Sequence, residues 1–239
     1  MNRLLSISIL GEPGVMRREV FDGFEDGGTD WDWIASRLRD RGLAGQIEIV
    51  GVDASLGETL PSPDDFDGVV VGGSIHNVNE GRDWQRRTID WLDGWRQTER
   101  PLFGICGGHQ MAVVTLGGKV ERMNGTAFSE TGALELTAAG RGHFLFEGSE
   151  NGPPTVHFGH FDHVTRLPGG AALLATYKDV VATLDLGGDW YTTQFHPEST
   201  GMGMVVAWDG AIAPEALRYR ETPDGGRIIE NFLRGTGLI

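Results

Sequence analysis

Leu102-Phe103-Gly104-Ile105-Cys106-Gly107-Gly108-His109-Gln110 is the stretch on which the reading of this sequence turns. The short apolar run from Leu102 to Ile105 has the length and composition of a buried strand. It stops at a cysteine flanked by glycines, and His109 to Leu116 continues with a helical pattern. A strand that breaks sharply into a helix crowds its own backbone, which accounts for glycine at 104 and 108. This is the layout of a nucleophile elbow with sulfur in place of the serine oxygen. Cys106 would then stand at a helix N-terminus, where the dipole favours a thiolate, and the amide of Gly107 would face a developing oxyanion. It is the one cysteine among 239 residues. An isolated free cysteine is more often an inert core residue, so its glycine context carries the case for reactivity.

Outward from this point the same alternation repeats. Upstream, Leu4 to Leu10 reads as a strand, and Trp31 to Arg41 as a helix with Thr29 or Asp30 as its N-cap. Gln46 to Val52 and Val69 to Val71 read as strands, the latter ending in Gly72-Gly73, and Trp84 to Trp95 as an amphipathic helix. Repeated strand–helix alternation predicts an α/β fold with a mostly parallel central sheet flanked by helices. Ligands in such folds bind at the carboxyl ends of strands, where Gly72-Gly73 and Cys106 both fall. Downstream, Ala133 to Leu136, Thr155 to Phe158, Ala172 to Tyr177, Val180 to Leu184 and Trp190 to Phe195 read as short strands. They predict a small antiparallel extension, and Gly226 to Leu233 a last helix. No repeat or linker divides residues 1–239, so one domain is expected.

Bulk properties narrow the function classes. Hydrophobic residues make up 39% and charged residues 23%, which suits a globular chain with a full core. Asp and Glu outnumber Lys and Arg by 34 to 20, a net charge of -14. Such acidity disfavours polyphosphate partners, so nucleic-acid binding is not expected. The opening MNRLLSISIL is too short to span a membrane and is followed by Gly-Glu-Pro-Gly, unlike a cleavage site. With one cysteine there is no disulfide framework, and a cytoplasmic location is expected.

Two further segments carry chemistry. In Gln194-Phe195-His196-Pro197-Glu198-Ser199, residues two apart share a face if the segment is extended. A thiol attacking an amide needs a base that later protonates the leaving nitrogen, and that base needs an orienting acceptor. His196 and Glu198 supply both; alone, the triplet reads equally well as a surface loop. In Val71-Gly72-Gly73-Ser74, paired glycines let backbone amides approach a substrate oxygen. Alone, this reads as an ordinary turn.

Together, GICGGHQ and, some ninety residues on, QFHPES resemble the class I (triad-type) glutamine amidotransferases. The resemblance runs from about Leu4 to Leu233. It implies Cys106 as nucleophile, His196 as base, Glu198 as its orienter, and oxyanion donors at the amides of Gly73 and Gly107. Gln110 matches a substrate-holding position. Val156 to Val164 resembles the family's Ser-His-x-Asp-x-Val block beside the glutamate pocket, which adds His160, Phe161 and Asp162 to the expected substrate-binding residues, with Ser74. Three positions depart from the pattern: Gly159 stands for a serine, Phe161 for a glycine, and Ser74 for a proline. The loop from Gly11 to Gly28 is long and is expected to overhang the site. His76, His157, His160 and His163 lack the pairing of a zinc site, and no cofactor is expected.

The implied activity is hydrolysis of a γ-glutamyl amide through a thioester on Cys106. One version releases a larger amine from a small γ-glutamyl substrate, with Phe161, Phe21 and Phe24 as candidate contacts for an apolar leaving group. Another is a glutaminase that passes ammonia to a synthetase on a partner chain. A catalytically silent interaction domain is the alternative of another class. An α/β-hydrolase fits poorly, because there the acid precedes the histidine.

Overall fold

In the first strand, β1 (Arg3–Ser8), Leu4 and Leu5 are both fully buried and belong to cores on opposite faces. A strand that is apolar on both sides needs cover on both sides, and this governs the architecture. The computed structural model of the chain describes residues 1–124, 127–149, 152–210, 218–222 and 224–239. From β1 the chain passes through α1 (Asp30–Asp40), β2 (Glu48–Asp53), β3 (Gly68–Val71), α2 (Asp83–Arg96), β4 (Leu102–Ile105) and α3 (Gly107–Thr115). Eight strands follow: β5 (Lys119–Arg122), β6 (Phe128–Ala133), β7 (Glu135–Leu136), β8 (Thr155–His160), β9 (Asp162–Arg166), β10 (Ala172–Tyr177), β11 (Val180–Asp185) and β12 (Trp190–Thr193). Then come α4 (Gly201–Gly210) and α5 (Asp224–Gly235).

The main sheet has the order β2-β1-β3-β4-β12-β11-β10-β7. Its first five strands run parallel, with Val69 beside Leu102 and Ile105 beside Thr193. The last three are antiparallel, as the sequence predicts for the second half. Two small antiparallel pairs, β5–β9 and β6–β8, stand outside it. On one face α1 and α5 pack Ile34, Leu38, Ile228, Ile229 and Phe232 against Leu4 and Phe103. On the other, α2 and α3 pack Trp84, Leu92, Trp95 and Met111 against Leu5, Val69 and Leu102.

The helices follow their residues. Thr29 caps α1 by accepting from the Asp32 amide, and Arg37 and Arg39 sit in its last turn, where the dipole favours cations. In α2 the buried Trp84, Thr88, Leu92 and Trp95 form one stripe. By contrast, α3 is buried from Gly107 to Val113, as befits a helix enclosed between the sheet and its neighbours.

Several elements differ from expectation. The stretch 133–136 is split: β6 ends at Ala133, and Leu134, 1% exposed, plugs the core before β7. Strands β5 and β9 and helix α4 were not expected at all. The chain from Val156 to Val164 turns at Phe161, so β8 pairs with β6 while β9 pairs with β5.

Candidate active site

The break between β4 and α3 falls at Cys106, whose φ of 48° and ψ of -98° lie outside the usual regions for a side-chain-bearing residue. Neighbouring backbone holds it there. The Cys106 amide donates to Thr193 O at 2.7 Å, and the Gly108 amide donates to Gly72 O at 2.9 Å. Glycine is needed around the turn because a Cβ at 104 would lie 2.8 Å from Gly108 O, and one at 108 would overlap Val71 O. Beneath the turn, His109 Nδ1 meets Thr192 Oγ1 at 2.8 Å, and burial pushes this imidazole down to about 3, so it stays neutral.

β12 runs beside β4, and the chain beyond it brings the second segment to Cys106. The His196 amide donates to His157 O at 2.8 Å. His196 Nδ1 meets Glu198 Oε1 at 2.7 Å, and the ring lies beside Cys106, near enough for the thiol to act on its charge. Burial works against the charged ring, but Glu198 and then Cys106 outweigh it and hold His196 well above the ordinary histidine value. Cys106, His196 and Glu198, expected together from the sequence, thus lie close to one another. Glu198 is 2% exposed.

Gln194 was not foreseen. It is fully buried, its Nε2 lies 3.6 Å from Cys106 Sγ, and its Oε1 accepts from Gln110 Nε2 at 3.2 Å. The signal was available: 194, 196 and 198 share the period of two that linked His196 to Glu198. Gln110 Nε2 also donates to Asp162 O at 2.9 Å. The Asp162 carboxylate itself accepts from Asn77 at 2.8 Å and faces Arg122 at 3.5 Å. Burial raises its pKa above the usual carboxylate value. The sulfur of Cys106 lies 3.7 Å from Gly159 O.

Gly73 lies against both partners: a Cβ there would come within 2.9 Å of His196 Cε1 and 3.8 Å of Cys106 Cβ. A Cβ on Gly107 would meet Ser74 Cβ at 2.6 Å, so the two glycine segments touch. Gly72 is pressed against Asp30, whose carboxyl is 1% exposed. Burial first, then the nearby charges of Glu198 and Asp53, push Asp30 up to about 7. Neither Asp30 nor Gln194 had been singled out for chemistry.

Two cavities open from Cys106. One, of about 20 Å³, is lined by Gln110, His160, Phe161 and Asp162. The other, of about 60 Å³, is lined by His196, Glu198, Met16, Trp33, Met204 and Ala207 among others. Ser74, Ile75, Gly159 and Trp208 border both. The long loop does reach the site, through Met16. It is tied down by Arg18, which pairs with Asp53 at 2.7 Å, and by the Arg17 amide, which donates to Gly210 O at 2.9 Å. Phe21 stands in the cluster of Leu10, Met16 and Trp33 and lines neither cavity. Phe161 borders the smaller cavity, edge-on to Trp208 at 5.3 Å.

The remaining histidines are engaged locally. His76 meets Glu80 at 3.1 Å and accepts from the Glu12 amide, while His157 meets Thr131 at 2.9 Å and His160 meets Asp162 O at 3.0 Å. Burial pushes His157 down to about 4 and His160 to about 3. Among the described residues, no three His, Cys, Asp or Glu side chains gather as a metal ion would need. Among them too, no helix is long and apolar enough to cross a membrane.

The model of the family described as glutamine amidotransferase class-I matches residues 29–204, which include Cys106, His196 and Glu198. This chain is a class-I glutamine amidotransferase. This amidotransferase is 32% identical over 155 residues to a γ-glutamyl-L-1-hydroxyisopropylamide hydrolase of Pseudomonas sp, covering 61% of this chain and 50% of that protein. It is 34% identical over 193 residues to a glutamine-hydrolyzing GMP synthase of Aeropyrum pernix, covering 79% of this chain and 33% of the synthase. The chain thus spans half or less of the length of these relatives. A solved glutamine amidotransferase of Thermotoga maritima superposes at a TM-score of 0.66 with 19% identity, over 87% of this chain and 81% of that one. That likeness is one of fold.

Proposed function

We infer that this amidotransferase hydrolyses the γ-amide bond of a γ-glutamyl amine through a thioester on Cys106. The observation that carries this reading is the hydrogen-bonded His196–Glu198 pair set beside Cys106, with a cavity on the His196 side. His196 takes the thiol proton as sulfur attacks the γ-carbonyl carbon. The oxyanion meets the amides of Gly73 and Gly107. The C–N bond then breaks as His196 protonates the departing nitrogen. Water attacks the thioester with His196 again as base, releasing glutamate and restoring the thiol. Glu198 orients the imidazole and stabilises its charged form. Gln110, Ser74, His160, Phe161 and Asp162 line the smaller cavity on the side expected for the glutamyl portion, and at about 20 Å³ it must widen to admit that chain.

The reading is supported by likeness to the γ-glutamyl-L-1-hydroxyisopropylamide hydrolase. The match of the Aeropyrum pernix GMP synthase to 79% of this chain, against 61% for the hydrolase, supports a second reading, a glutaminase serving a separate synthetase chain. The test is kcat/KM of the isolated chain for glutamine and for γ-glutamyl-1-hydroxyisopropylamide, with Cys106→Ala as control. The first reading expects turnover of the amide at about 1 per second or faster, lost in the variant. Preference for glutamine, with strong activation on adding a synthetase and its acceptor, establishes the second reading instead.

A further inference from the structure

Chemistry assigns an occupant to each cavity beside Cys106. The departing nitrogen must receive its proton from His196, so the amine leaves on the His196 side. The glutamyl chain, attached to the same carbonyl carbon, then extends toward Gln110 and Asp162. The cavity on the His196 side therefore takes whatever the nitrogen carries. We propose that this cavity recognises the carbon skeleton of a small, uncharged alkyl or hydroxyalkyl amine. The proposal rests on the γ-glutamyl amidase reading.

Four observations carry it. First, the wall away from Cys106 is apolar: Leu10, Met16, Trp33, Met204 and Ala207. Second, among the described residues no lysine or arginine lines it, and its one carboxylate, Glu198, is 2% exposed and held by His196. An amine with its own carboxylate would be buried there without a partner, and a second ammonium would find only the buried Glu198 Oε2 beside an imidazole that favours its own positive charge, which is costly. A hydroxyl is tolerable, because Ser199 Oγ uses its proton on Thr200 O and keeps its lone pairs. Third, about 60 Å³ accommodates about four water-sized groups, which fits a chain of about three or four atoms beyond the nitrogen. Fourth, the missing side chain at Gly159 has a steric reason. A Cβ at that position would overlap Met204 Cε. Glycine there admits the thioether of α4 to the edge of the site, exchanging a polar lining for an apolar one.

The cover is fixed in place by hydrogen bonds. Trp208 Nε1 donates to Tyr219 Oη at 2.8 Å, and Tyr219 Oη donates to Phe158 O at 2.6 Å. This chain of bonds pins α4 to β8 directly behind Gly159.

The experiment measures kcat/KM of the full chain for γ-glutamyl methyl-, ethyl-, n-propyl-, n-butyl- and n-hexylamides. It adds γ-glutamyl-β-alanine and γ-glutamyl-1,3-diaminopropane as charged counterparts. The expected result is a rise of about fourfold per CH2 up to propyl or butyl, then a plateau or fall. The charged counterparts should lie about a hundredfold or more below n-propyl. Ala207→Phe should lower the n-propyl to methyl ratio of kcat/KM by about tenfold. As a reading independent of turnover, tryptophan fluorescence of the Cys106→Ala variant should respond to γ-glutamyl-n-propylamide more strongly than to glutamine, since Trp33 and Trp208 line the cavity. Turnover with no dependence on alkyl length, or preference for a charged amine, overturns the cavity assignment and leaves the amidase reading intact. No turnover of any γ-glutamyl amide by the folded chain, with no fluorescence response, overturns both.

Discussion

Asp30 is a carboxyl in a place where carboxylates are costly. It lies at the start of α1, buried against Gly72 and within the field of Glu198 and Asp53, and it is pushed up from 3.8 to about 7. As pH rises from about 4 to about 7, an unfolded chain gives up this proton while the native one keeps it, so stability falls over that window. The full effect is up to roughly 4 kcal/mol at pH 8. Asp30→Asn should therefore raise Tm at pH 8, and the gain should shrink toward pH 4. A gain that does not vary with pH would falsify this account. For His196 stability also falls as pH rises, but as a gain lost from the charged ring and not as a cost of a buried carboxylate. Its pKa is raised, so its stabilising contribution is complete below about 6.5, its unfolded value, and is lost as pH climbs through the native value. Glu198→Gln should lower that native value in an NMR titration and reduce kcat by about 10²–10⁴. Cys106, His196 and Glu198 were legible because their local sequence encodes their geometry. Asp30 was not, since its neighbours come from other strands and it reads only as a helix-start aspartate.

At the level of elements, legibility followed hydrophobic pattern. α1, α2 and α5 carry a buried stripe on a polar background, and β3 and β4 are short apolar runs buried throughout. α4 carries neither signal: it is apolar nearly all round, begins at Gly201 and ends at Gly210, and holds Gly203 in its interior, where glycine costs about 1 kcal/mol relative to alanine. Packing overrides propensity there, because the glycines allow close approach. A Cβ on Gly210 would lie 2.7 Å from both Met16 Cε and Val20 Cγ2 and 2.9 Å from Arg17 O. Gly210→Val should thus cost about 1–3 kcal/mol, read from a denaturant midpoint. An unchanged midpoint would show that α4 and the loop do not dock as described. β5 was missed because Lys119-Val120-Glu121-Arg122 offers one apolar residue among three charges. On α5, Phe232 is fully buried against Phe103 at 4.9 Å, and Phe232→Ala should cost about 3–5 kcal/mol by the same measurement.

For the whole molecule, composition announced an acidic surface but not where the charge acts. The net charge of -14 implies self-repulsion in the compact state. Raising salt from about 0.01 to 0.15 M shortens the screening length from about 30 to about 8 Å. Tm at pH 7 should rise by a few degrees over that range. A fall would mean that surface ion pairs such as Arg82 with Glu12 outweigh the repulsion. Sheet order was legible only in part. Alternation foretold a parallel sheet, but nothing local says that β12, nearly ninety residues downstream, is inserted next to β4. That insertion has a consequence for how the protein comes into being on the ribosome. Until residues 190–193 emerge, β4 has a bare edge where the cysteine elbow begins, and bare edges invite pairing with other chains. Contacts of such long sequence separation also form slowly. The nascent chain is thus at once chemically silent and most prone to aggregate, and the same strand ends both conditions by closing the sheet and delivering the histidine.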